Sequence, residues 1–73
     1  MEDKLRKIVG GRIKYFREHL RLSQQDLSEL SGMNRSYIGG VERGERNIGI
    51  DNLEKIADGL GVEAWRLLKD DTS

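Results

Sequence analysis

No cysteine and no proline occur among the 73 residues, and His19 is the only histidine. Without cysteine there is no disulfide framework and no thiolate cluster, and one imidazole cannot assemble a metal site alone. Structural metal, disulfide and cofactor are therefore not expected. Without proline, and with no low-complexity stretch, nothing marks a linker, so residues 1–73 read as a single domain. Nor is there an apolar run near the ~18 residues of a membrane span, and Met1-Glu2-Asp3-Lys4 lacks the apolar core of a secretory signal. The chain reads as cytosolic, with no membrane partner and no small-molecule ligand expected. Catalysis is disfavoured on the same grounds: there is no nucleophilic cysteine, no histidine pair and no room for a substantial pocket. Gly10-Gly11 falls inside a helical pattern and is not a phosphate-binding loop.

Net charge is also missing, with 13 basic residues against 13 acidic. A strongly basic balance, the simplest mark of a nucleic-acid binder, therefore fails for the chain as a whole. The distribution is uneven, however. Residues 1–46 hold ten Lys or Arg against seven Asp or Glu, a net of +3, and residues 47–73 hold three against six, a net of −3. Such polarisation suits a domain with one face on phosphate and another toward solvent or a partner.

What is present is helical grammar. Apolar and charged residues each make up 36% of the chain, which suits a bundle with a thin core. Leu5, Val9, Ile13, Phe16 and Leu20 step by 4, 4, 3 and 4 and predict helix one over Lys4 to Leu20. Leu22-Ser23-Gln24-Gln25-Asp26-Leu27 reads as a helix start. Ser23 is the cap, Asp26 closes a capping box, and Leu22 staples to Leu27. Gly32 stops helix two near Ser31. The same grammar repeats at once, with Asn34 as cap and Met33 stapling to Ile38, so helix three follows a tight turn. Around Gly49, Ile48 staples to Leu53 and opens helix four, about Ile50 to Leu60, with Leu53, Ile56, Ala57 and Leu60 inward and Gly61 as stop. Val62 stapling to Leu67 predicts helix five over Glu63 to Lys69, after which Asp70 to Ser73 should fray. The expectation is an all-α, five-helix domain without strands.

Helices two and three form a bihelical unit over about residues 23–43. Ser28 is small where the helices must cross, and Leu27, Leu30, Ile38 and Val41 form the inner seam. Such a pair can lay helix three in a DNA major groove with helix two across the backbone. With Ile38 and Val41 inward, Arg35, Ser36, Gly39 and Gly40 face outward, and Tyr37 lies at the margin. Arg35, at the helix N-terminus beside its cap Asn34, is placed to fork onto guanine, or is a solvated surface arginine. Ser36 and Tyr37 contact phosphate or base, or Tyr37 packs on the rim. Gln24 opens helix two, where free amides favour phosphate. Arg43, Arg46 and Asn47 supply a second backbone clamp or are solvated loop residues. Gly39-Gly40 weakens helix three by about 1 kcal/mol per residue, explained by close approach to DNA or by ordering on binding.

The sequence resembles the Cro/repressor-type (XRE) helix-turn-helix family. The resemblance rests on Arg12-Ile13, Arg17, Leu22-Ser23-Gln24, Leu27, Gly32, Ser36-Tyr37-Ile38, Glu42, Gly44, Arg46-Asn47, Leu53, Ile56-Ala57 and Leu60-Gly61-Val62, and covers about residues 9–69. It implies a five-helix domain that binds a palindromic operator on double-stranded DNA as a homodimer, with helix three in the major groove. It also implies a structural ion pair between Arg17 and Glu42. Small size and Arg35-Ser36-Tyr37-Ile38 followed by Gly40-Val41-Glu42-Arg43-Gly44 look like restriction-modification controller proteins, although phage and chromosomal repressors share the pattern. Three residues depart from it. Arg21 stands where the family has Gly after helix one, Gly49 replaces the cap of helix four, and Glu63 that of helix five. Trp65 occupies a usually polar position, and with Ile48, Ala64 and Leu68 it is expected either in a dimer interface or as a cover on the core. The rival to a DNA-binding regulator is an interaction module, antitoxin-like or a tether, that keeps the fold without reading DNA.

Overall fold

A computed structural model describes residues 4–69. Four α-helices follow one another, α1 (Lys4–His19), α2 (Gln24–Ser31), α3 (Arg35–Glu42) and α4 (Ile50–Leu60), and a single 3-10 turn, Ala64–Leu67, closes the described chain. No strand occurs among the described residues, and no helix there is long and apolar enough to cross a membrane. The expected frayed end, Asp70 to Ser73, lies outside the described residues.

Local chemistry accounts for most boundaries. At Ser23 both halves of the capping box are made, its hydroxyl accepting from the Asp26 amide and the Asp26 carboxylate accepting from the Ser23 amide, each at 2.9 Å. Donation from Ser23, its backbone amide first and its hydroxyl second, holds the Asp26 carboxyl below its ordinary value, so this support for α2 is present at neutral pH and is lost in acid. Gly32 ends α2 at φ +74°, a conformation that costs a side chain about 1–2 kcal/mol. The turn into α3 can therefore be tight. Asn34 caps α3 through a bond from the Ser36 amide, and α4 starts at Gly49 without a side-chain cap.

α1 ends with Arg21 at φ +61°, the one left-handed residue other than glycine among those described. Its amide reaches the Glu18 carbonyl at 2.9 Å and the Leu22 amide reaches that of Arg17 at 2.9 Å, the paired bonds of a glycine-type stop. Arg21→Gly should stabilise the domain by about 1 kcal/mol, or roughly 4–8 °C in melting temperature. Thermal unfolding followed by circular dichroism checks this, and an unchanged midpoint would show that the left-handed arginine carries no strain.

Three apolar residues assigned to the core are exposed: Leu5 and Leu20 at the ends of α1, and Leu30 on α2. The stripe on α1 is buried only at Val9, Ile13 and Phe16, because the neighbouring elements do not extend over its ends. On α2 the seam runs through Leu27 and Ser31, one turn apart, and the Ser31 hydroxyl is satisfied by the Leu27 carbonyl at 2.7 Å. Leu30 turns to the rim beside Gly59. The fifth helix is also shorter than expected. Leu67 is fully buried and Val62 packs on the core, so one 3-10 turn delivers both, and the Glu63 side chain caps nothing that would extend it. Ile13, Leu27, Ile38, Ile56 and Leu67, one from each element, meet at the centre.

Candidate nucleic-acid interface

α3 reaches its place by an unusually close approach to α1. A Cβ on Gly10 would lie 2.2 Å from the Val41 carbonyl oxygen, so only glycine lets the two backbones meet there. The contact ends in an ion pair. Arg17 Nε donates to Glu42 Oε2 at 2.6 Å and Nη2 to Oε1 at 3.0 Å, with both side chains nearly excluded from water. The same guanidinium donates from Nη1 to the Leu22 carbonyl at 2.7 Å, which ties the α1–α2 connection to the pair. The bond to Glu42 raises the pKa of Arg17, so the guanidinium stays charged until the solution is strongly alkaline.

Glu42 has one more partner, the Gln24 side-chain amide, whose Nε2 donates to Oε1 at 3.0 Å. Gln24 is thereby held against the outer surface of α3. A Cβ on Gly39 would meet Gln24 Oε1 at 3.5 Å and Arg43 Nη1 at 3.2 Å, so polar groups from α2 and from the loop after α3 converge over that glycine. One residue on, the Arg46 side chain covers Gly40, and its guanidinium lies 5.3 Å from the centre of the Tyr37 ring. Gly39 and Gly40 are consequently buried rather than outward-facing. They form the floor on which Gln24, Arg43 and Arg46 lie. The physical reason is that long polar side chains fold over the only surface of α3 lacking side chains of its own.

Arg35, Ser36 and Asn34 are exposed at the N-terminal end of α3, and Tyr37 is half-buried. The Tyr37 hydroxyl accepts from Asn52 Nδ2 at 3.3 Å, which pins the ring from α4. Arg43 Nε reaches Glu45 at 3.0 Å on an open surface, and Asn47 is exposed. Neither Asn52 nor Glu45 carries a local signal in the sequence. Their roles depend on how α4 and the loop after α3 sit.

The geometry is that of a helix pair with its second helix displayed. A family model described as helix-turn-helix matches residues 13–64. The chain belongs to the helix-turn-helix family. Among solved structures, this helix-turn-helix chain is similar to the restriction-modification controller protein C.AhdI from Aeromonas hydrophila, with 44% identity and a TM-score of 0.83 over 85% of this chain and 94% of that one. Control protein C.BamHI from Bacillus amyloliquefaciens is 36% identical over 69 residues, 93% of this chain and 85% of that protein. A hypothetical transcription factor from Neisseria meningitidis is 39% identical over 67 residues. The chain spans 92% of its own length in that match but 63% of the relative's.

The four residues expected at a dimer interface are split. Ile48 and Leu68 line an apolar groove of about 510 Å³ together with Leu5, Val9, Ile50 and Leu53. Ala64 is half-buried against the core. Trp65 is 57% exposed and lines a separate small cleft.

Proposed function

We propose that this helix-turn-helix protein is a DNA-binding transcriptional regulator of the restriction-modification controller kind. In this reading it binds a palindromic operator as a homodimer, with α3 in the major groove. The observation that carries the reading is the convergence of Gln24, Arg43, Arg46 and Tyr37 over the glycine floor of α3, beside exposed Arg35 and Ser36. Arg35 would read guanine. The free amides at the start of α2, with Gln24 and the arginines, would grip phosphates on either side. Relatives named as control proteins and as a transcription factor support the same role.

A second copy would cover the groove at Ile48 and Leu68. Ile50 stands 84% exposed at its edge and Leu5 53%, an apolar surface that a lone domain has no reason to display. A two-fold dimer then presents its two reading helices about 34 Å apart, on half-sites one turn apart.

Selection of bound sequences from a random duplex library at near-physiological salt tests the whole reading. Wild-type protein should enrich an inverted repeat. Arg35→Ala should relax one position in each half-site by about 1–3 kcal/mol, or roughly 5- to 150-fold. Ile50→Glu should leave half-site binding only. Failure of the wild type to enrich any sequence would sink the proposal in favour of a protein-binding module.

A further inference from the structure

On the side of α1 turned away from α3, three cations gather without a counter-charge among the described residues. Arg12 lies two residues beyond Gly10, about 200° further round the helix at 100° per residue, and it is 94% buried. Its only hydrogen bond among the described residues runs from Nε to the Arg66 carbonyl at 3.5 Å, a weak one. The guanidinium is otherwise held by ring faces, with centroids at 5.0 Å for Tyr15 and 4.9 Å for Phe16, and Arg66 lies 5.4 Å from the same Phe16 ring. Arg12, Arg66, Lys69 and Trp65 line a cleft of about 160 Å³. Among the described residues no carboxylate pairs with any of the three cations. A buried charge without a partner is costly, and two guanidinium groups against one ring repel each other.

We propose that this cleft docks an acidic segment of a protein partner, one carboxylate entering between Arg12, Arg66 and Lys69 and an adjoining apolar side chain packing on Trp65. Size selects among anions. Pockets for whole small molecules usually measure about 300–1,000 Å³, so this one takes a single side-chain-sized group carried by something larger. Charge complementarity then points to an acidic peptide. Its lining shares no residue with the Gln24–Arg43–Arg46 surface, so occupying it leaves those side chains free. The inference stands independently of the DNA reading.

Trp65 is the only tryptophan in the chain, so its fluorescence reports on the cleft directly. The probe is a capped hexapeptide alternating glutamate with leucine, titrated into the full chain against its glutamine counterpart and against inorganic phosphate. The glutamate peptide should shift the emission saturably, and the glutamine peptide should bind at least about tenfold more weakly. Arg66→Glu and Lys69→Glu, at exposed positions that leave the fold intact by circular dichroism, should each weaken the glutamate peptide by about tenfold or more. Equal binding of the two peptides, or undiminished binding by both variants, would overturn the proposal. Phosphate binding as tightly as the peptide would replace it with a generic oxyanion site. An emission shift that grows with protein concentration alone would put a second copy in the cleft instead.

Discussion

Glu42→Ala should cost the fold about 3–5 kcal/mol, because it leaves the Arg17 guanidinium buried and uncompensated between α1 and α3. A domain of this length has only roughly 4–11 kcal/mol in total at 0.05–0.15 kcal/mol per residue, so the variant sits at the edge of folding. The damage is not confined to one pair. Glu42 also accepts from Gln24, and Arg17 also donates to Leu22, so the carboxylate joins α1, the α1–α2 connection, the start of α2 and the end of α3. Urea denaturation of the variant should show a midpoint lowered by about half or more, and a loss below about 1 kcal/mol would mean that Arg17 finds water easily. The paired replacement Arg17→Met with Glu42→Leu separates stability from function. Removing both charges at similar volume is often close to neutral for stability. Gln24 then loses the partner that fixes its side chain over Gly39, so the double variant should fold yet bind DNA more weakly.

That network marks the boundary of what could be read before the structure. Ser23 with Asp26, Gly32 and Asn34 were legible because a cap is decided within four or five residues, where the sequence itself holds all the partners. The apolar faces of α3 and α4 were legible for a related reason: both are covered along their length, so periodicity and burial coincide at Ile38, Val41, Leu53, Ile56, Ala57 and Leu60. Periodicity does not say how far a neighbour extends. Leu5 and Leu20 keep the spacing of α1 and still reach water, and Leu30 loses its place to Ser31 by a rotation of the seam. The displayed surface was legible in its residue types and not in its arrangement. Nothing local in Gly39-Gly40 indicates that Gln24, from another helix, and Arg43 and Arg46, from the following loop, would lie over it.

Adjacent glycines in α1 provide the sharpest contrast, since Gly10→Ala and Gly11→Ala should move stability in opposite directions. In an exposed helix interior alanine is worth about 0.8–1.0 kcal/mol over glycine. Gly11 is exposed, with nothing within 4 Å of an added Cβ, so its substitution should yield that gain in full. At Gly10 the same methyl group meets the Val41 carbonyl oxygen at 2.2 Å, the Glu42 carbonyl oxygen at 2.7 Å and the Glu42 carbonyl carbon at 2.9 Å. All three are backbone, so no rotamer change relieves the clash. Helix α3 must back away from α1 by more than about 1 Å, at a cost of about 3 kcal/mol, the upper end for overpacking. The displacement falls on the residues that hold the Arg17–Glu42 pair and, through it, Gln24. Gly10→Ala should therefore weaken DNA binding beyond what its unfolded fraction explains, whereas Gly11→Ala should leave affinity unchanged. Urea midpoints and duplex-binding titrations on the two proteins measure both effects. A Gly10→Ala protein as stable as wild type would mean that α1 and α3 do not approach so closely in solution.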